Sequence, residues 1–231
     1  MPAAMIFTGL ACGMLLTAAG LVLWDGYRQV PGLARAVQAI GWLAGTMLFI
    51  GALIAWQGDR NLSAPALRLT LMAALAAPQG DHRRCHSHWG NVMPTLPALV
   101  LAVAGLFWTS EPTRAGAGTL SVALVRLAVV ICGGLGARAM GEALSKIVAP
   151  VHHAGRTLAI VYALLTLLVG GTASANLWQR GAVWAGSANE SGLAGTWLVW
   201  SATWLGPRQR SRPQEVLIVV AALLLISTAL K

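Results

Sequence analysis

Long apolar stretches dominate this chain and restrict it to folds in which apolar side chains can face lipid. Seven runs each approach the ~20 residues that an α-helix needs to cross a bilayer. They cover 4–24, 35–56, 94–109, 118–137, 156–177, 192–206 and 214–230. An eighth candidate, 62–78, holds Arg68 and two prolines, so it either spans or lies at the interface. The sequence predicts an all-α polytopic transmembrane helix bundle of seven or eight helices, with 1–231 as one integral membrane domain.

The distribution of charge agrees with this fold. Charged residues are 10% of the chain, against roughly 25% in soluble domains. All seven acids lie between or at the edges of the apolar runs, as expected when a charge at mid-bilayer costs about 2.5–3.5 kcal/mol. The net charge of +9 does not indicate nucleic acid, because the basic residues are spread over many short loops. We therefore expect membrane lipid as a partner, and no nucleic acid.

The basic residues also predict an orientation. In an eight-span topology ten of them fall on one set of alternate loops and four on the other, and the richer side is expected to be cytoplasmic. Loop 207–213 is then cytoplasmic and loop 178–191 extracytoplasmic. The segment 138–148 is amphipathic, and it either lies on the cytoplasmic face or extends the preceding helix. The first run has no basic region before it, so we interpret it as a retained span of a bacterial-type inner (plasma) membrane protein.

Indole side chains cluster around the loop after the fifth run. Trp178, Trp184 and Glu190 lie in this loop, and the chain re-enters the membrane through Trp197. Several indoles around an outer-leaflet pocket could stack on a flat, hydrophobic macrocycle. The alternative is an aromatic belt, in which each indole marks the boundary between lipid and water.

The order of residues across 156–206 resembles that of the membrane haem-handling proteins of cytochrome c assembly, which carry a tryptophan-rich outer loop. The matching positions are Arg156, Leu164-Leu165-Thr166, Gly170, Ala175-Asn176, Trp178, Gly181, Trp184, Glu190 and Thr196-Trp197-Leu198. The resemblance implies haem as cofactor, an outer platform of Trp178, Trp184 and Trp197, and a polar contact from Glu190. It also implies other membrane subunits and apocytochrome c as partners.

The chain departs from that family at two places. Gly186, Ser187 and Ala188 stand where the family has its last tryptophan, an aspartate and a proline. The family also places axial histidines near the outer ends of flanking spans, whereas the five histidines here fall in loops predicted to be cytoplasmic. Of these, His153 could coordinate haem from the inner leaflet, although a polar span edge is the alternative.

Two further candidates carry charge or metal-binding groups. Arg126 lies inside an apolar run, where it could pair with a haem propionate or a helix carbonyl, or extend to the near interface. The segment 81–89 holds aspartate, histidine and cysteine, but Arg83 and Arg84 within it oppose a cation, so we interpret it as a solvated basic loop. No nucleophilic triad, phosphate loop or metalloprotease helix occurs, so an enzyme is not expected.

The sequence therefore leaves three functions open. The first is haem handling or cytochrome c maturation, by binding and presenting haem at the outer leaflet. The second is a non-catalytic accessory subunit of a larger membrane complex that keeps the fold without haem. The third is a small transporter lined by Arg68 and Arg126, which lacks the broken-helix pairs that would support it.

Overall fold

The computed structural model describes residues 2–28, 33–59, 64–77, 92–107, 120–148, 156–184, 186–205 and 212–230, and these ranges are all-α. The α-helices of these ranges are α1 (Pro2–Arg28), α2 (Leu33–Asp59), α3 (Pro65–Ala76), α4 (Leu96–Phe107), α5 (Leu120–Val148), α6 (Arg156–Arg180), α7 (Ala188–Leu205) and α8 (Arg212–Leu230). A short 3₁₀ turn, Met93–Thr95, leads into α4.

Five of these helices are long and apolar enough to cross a membrane: α1, α2, α5, α6 and α8. Helices α3 and α4 are shorter, and α7 carries polar residues in its first turns. Helix α5 has 29 residues and a length of ~43 Å, which exceeds the ~30 Å hydrocarbon core. The amphipathic segment 138–148 therefore extends the preceding helix, as the second of its two interpretations predicted.

Small residues let α5 approach its neighbours closely. A methyl group added at Gly134 would lie 2.6 Å from the Cβ of Leu75 in α3, and one added at Gly141 would lie 2.9 Å from the Cα of Pro94. Gly136 faces Leu225 of α8 and the buried indole of Trp200. Helix α5 thus packs against α3, α4, α6, α7 and α8, and it forms the centre of the bundle.

Helix α3 is buried although it is only 12 residues long. Pro65 occupies its first turn, where the missing N–H costs no helical hydrogen bond. Arg68 is only 4% exposed, and its Nη1 donates to the carbonyl of Ala229 at 3.0 Å, near the end of α8. The described part of the candidate segment 62–78, residues 64–77, therefore lies inside the bundle.

One end of the bundle carries the tight turn between α6 and α7, residues 181–187, and we call it the hairpin end. The start of α7 and the end of α8 meet there, because Gly192 faces Thr228. The start of α3 belongs to the same end through the contact of Arg68 with Ala229. The opposite end holds the ion pair between Lys146 of α5 and Glu215 of α8, with Nζ and Oε1 at 3.5 Å.

Candidate functional site

Helix α6 ends in a left-handed glycine. Gly181 has φ +68° and its N–H donates to the carbonyl of Leu177 at 3.0 Å. This is the αL motif, in which a residue without Cβ satisfies a carbonyl of the last turn at little steric cost. The chain therefore leaves α6 sharply after Arg180 and enters the turn.

Helix α7 begins with a second left-handed glycine and a reciprocal cap. Gly186 has φ +74°, and Ser187 follows it as the N-cap. The N–H of Glu190 donates to Ser187 Oγ at 3.2 Å, and the N–H of Ser187 donates to Glu190 Oε2 at 3.4 Å. These two bonds form a capping box, which satisfies backbone donors at the start of the helix.

The carboxylate of Glu190 also joins the two helices. Its Oε1 accepts a hydrogen bond from Asn176 Nδ2 at 2.7 Å, and Asn176 is a buried polar residue of α6. One carboxylate oxygen of Glu190 therefore accepts from the N–H of Ser187 at the cap of α7, and the other accepts from Asn176 of α6. This arrangement fixes the angle at which the two helices meet below the turn.

A cleft lies between α6 and α7 beneath the turn, and Trp184 covers it. Asn176, Trp184, Glu190 and Leu193 are among its lining residues. Its volume is about 10 Å³, which is room for about one water molecule at most. A macrocycle does not fit inside this cleft, so a flat ligand would lie on the outer surface of the turn.

The exposed residues at the end of α6 and in the turn after it include two indoles and a cation. Trp178 is 93% exposed and Trp184 is 43% exposed, and Arg180, which lies between them in the sequence, is also exposed. Exposed indoles provide flat apolar faces, and a guanidinium can form paired hydrogen bonds with a carboxylate.

Trp197 does not join this surface. It lies two helical turns beyond Glu190, about 10 Å along α7, and its Nε1 donates to Thr166 Oγ1 of α6 at 3.0 Å. Farther along α7, Trp204 stacks on Tyr162 with ring centroids 6.0 Å apart. These aromatic residues hold α6 against α7, and the expected three-indole platform is divided between the turn and the helix interface.

The remaining candidates lie elsewhere. Arg126 is exposed near the start of α5, and it is not among the residues that line the cleft. His153 and the histidines of 81–89 lie outside the described residues. Within the described ranges no group of three or more His, Cys, Asp and Glu side chains could hold a metal ion.

Comparison with known proteins gives no family assignment for the chain: no protein-family model, curated protein or solved structure matches it. The class of protein is therefore defined by the fold alone, as a helical bundle whose long apolar helices are typical of a multi-pass membrane protein.

Three features of the site do not appear among the sequence predictions: the capping box, the role of Asn176 and the exposure of Arg180. The capping box has a readable signature, because Ser187 is followed three positions later by Glu190 at the start of an apolar run. The partner of Glu190 on α6, Asn176, has no such signal, since it depends on how two helices pack. The sequence marks Arg180 only as a charge before the outer loop, and its exposure in the last turn of α6 depends on where that helix ends.

Proposed function

We propose that the protein is a multi-pass inner-membrane protein of the haem-handling, cytochrome c maturation type, and that it binds and presents haem without enzymatic turnover. The proposed topology has the seven or eight spans that the apolar runs predict, with the hairpin end extracytoplasmic. Loop 207–213 is then cytoplasmic, in agreement with the distribution of basic residues.

The observation that carries this proposal is the exposure of two indoles close together in the sequence, Trp178 in the last turn of α6 and Trp184 in the turn that follows it. Trp178 is 93% exposed, and an exposed indole has an apolar ring face and a polar N–H, which suit contact with a flat ligand or a partner protein. On this proposal the indoles contact the face of the macrocycle, and Arg180 pairs with a propionate. Bound haem would supply iron chemistry to a partner, and these residues would only bind and orient it.

A second candidate is an accessory subunit that keeps the fold without haem. The closed cleft favours it, because Glu190, the acid expected to contact haem or a partner, is occupied by the capping box and Asn176. On this candidate the exposed indoles contact another membrane subunit instead of a ligand. Aromatic residues are enriched in the buried centres of such interfaces.

Haem titration of the detergent-purified protein separates the two candidates. Haem handling predicts a Soret band that saturates near one haem per chain and weakens strongly in the double variant Trp178→Leu, Trp184→Leu. Trp56→Leu is the matched control, because Trp56 is an exposed indole near the end of α2. This control should leave the haem affinity unchanged.

An equal Soret response in the double variant and the Trp56→Leu control would contradict the haem site at the turn. A protein that binds no haem, and that leaves native membranes at fixed stoichiometry with other subunits, would support the accessory role. In that case the double variant should lose the partner subunits, whereas the Trp56→Leu variant should retain them.

A further inference from the structure

The helices of the proposed haem site are poor in side chains that bind iron. Axial ligands of haem iron in proteins are His, Cys, Met or Tyr side chains. Helices α6 and α7 and the turn between them, residues 156–205, contain no His, Cys or Met and a single Tyr. That residue, Tyr162, stacks on Trp204 and lies about 24 Å along α6 from Trp178. It is therefore too far from the turn to reach iron held there.

The neighbouring helices add no iron ligand at the hairpin end. The start of α3 and the end of α8 meet the start of α7 at this end. The end of α4 joins them, because Gly105 faces Thr70 of α3, and α5 begins at the same end. None of the four residue types occurs in the two helical turns that these helices place there, which are 65–71, 101–107, 120–126 and 224–230.

Other side chains of these types belong to other parts of the chain. Cys12 and Cys132 are buried. Met5 belongs to α1, which packs against α2 and α4. The five histidines lie outside the described residues, in loops that the proposed topology places in the cytoplasm. The residues at the turn thus offer indole faces and a cation to haem, but they do not fit the coordination of its iron.

We infer that this chain contributes no axial ligand to haem at the turn, and that a partner protein supplies a histidine imidazole instead. This inference rests on the proposed function, because it concerns haem at the same turn. Trp178, Trp184 and Arg180 would hold the macrocycle, and the iron would be left to the partner, for which imidazole is the commonest metal-binding side chain. A site without an iron bond of its own suits a protein that presents haem to another.

Electron paramagnetic resonance of the detergent-purified protein with ferric haem tests this division of roles. Without a strong axial donor the iron should give a high-spin signal, and saturating imidazole should convert this signal fully to the low-spin form. The variant with His82, His86, His88, His152 and His153 all replaced by alanine should give the same spectra as the parent chain. A synthetic alanine peptide with one histidine should act as imidazole does, whereas the same peptide without histidine should not.

A low-spin signal from the parent chain before imidazole is added would overturn the inference. Loss of that signal in the five-histidine variant would then identify the ligand as a histidine of this chain. A high-spin signal that imidazole leaves unchanged, or an equal effect of the two peptides, would also overturn it. Failure of the proposed function gives a different result, namely a Soret band that does not saturate or does not depend on Trp178 and Trp184.

Discussion

Nδ2 of Asn176 lies 2.7 Å from Oε1 of Glu190, and this bond joins α6 to α7 just below the turn that connects them. The same carboxylate closes the capping box with Ser187. Because a single acid serves both helices, the geometry of the turn and the position of Trp184 above the cleft depend on it.

Removing Glu190 should loosen the turn. Glu190→Ala loses the cap and the charge-assisted bond to Asn176, so we expect a loss of about 2–3 kcal/mol in the free energy of unfolding. A double-mutant cycle that combines Glu190→Ala with Asn176→Ala should give a coupling energy of about 1–2 kcal/mol between the two residues. Unfolding in detergent micelles measures both values. Gln179→Ala, an exposed neighbour at the same end of α6, is the control, and additive effects of the two substitutions would contradict the link.

At the end of the bundle opposite the hairpin end, the protein's stability should depend on both partners of the buried ion pair. Glu215 is 4% exposed and is paired with Lys146, so Glu215→Leu leaves an unbalanced buried charge and should cost about 3–5 kcal/mol. The double variant Lys146→Met, Glu215→Leu should regain most of this stability, because both charges are removed. Arg138→Met is the control, since the partly exposed Arg138–Glu142 pair, an i,i+4 pair on one helix, should contribute less than about 1 kcal/mol. A double variant as unstable as Glu215→Leu alone would contradict this explanation.

The helical content of the bundle follows from the sequence because the apolar runs are long and their charges lie at the ends. The same pattern is a poor guide to α3, since Pro65–Ala76 is short and its Arg68 is stabilised by Ala229, a residue far away in the chain. Gly181 and the Ser187–Glu190 spacing predict the turn between α6 and α7. They do not predict that Trp197 lies apart from Trp178 and Trp184. Trp197 faces Thr166 because of helix packing, which a single sequence does not encode locally.

The close approach of α5 and α3 predicts that alanine substitution at two glycines changes the free energy of unfolding differently. Gly134→Ala places a methyl group against Leu75 and should cost about 1–3 kcal/mol through overpacking. Gly171→Ala in α6 meets nothing within 4 Å, so it should be neutral or stabilising by up to about 1 kcal/mol. Thermal unfolding of the two variants in the same detergent measures this difference, and equal melting temperatures would contradict the packing of α5 on α3.

The buried indole of Trp200 should respond differently to two substitutions. Trp200 is 0% exposed, and its Nε1 has no hydrogen-bond partner among the described residues. Trp200→Ala should cost about 3–5 kcal/mol because it leaves a cavity. Trp200→Phe should cost much less, since it keeps an aromatic ring and removes an unsatisfied donor. Equal losses in the free energy of unfolding would indicate that the N–H has a partner.

Labelling of introduced cysteines in intact cells tests the proposed placement of the hairpin end outside the membrane. With Cys12, Cys85 and Cys132 replaced by alanine, Val183→Cys at the turn should react with a membrane-impermeant maleimide. Val148→Cys, at the opposite end of α5, should react only after the membrane is opened. Both positions are exposed in the structure, so burial would not account for a difference in labelling between the two variants. Labelling of Val148→Cys and protection of Val183→Cys in intact cells would contradict the outward presentation of Trp178 and Trp184.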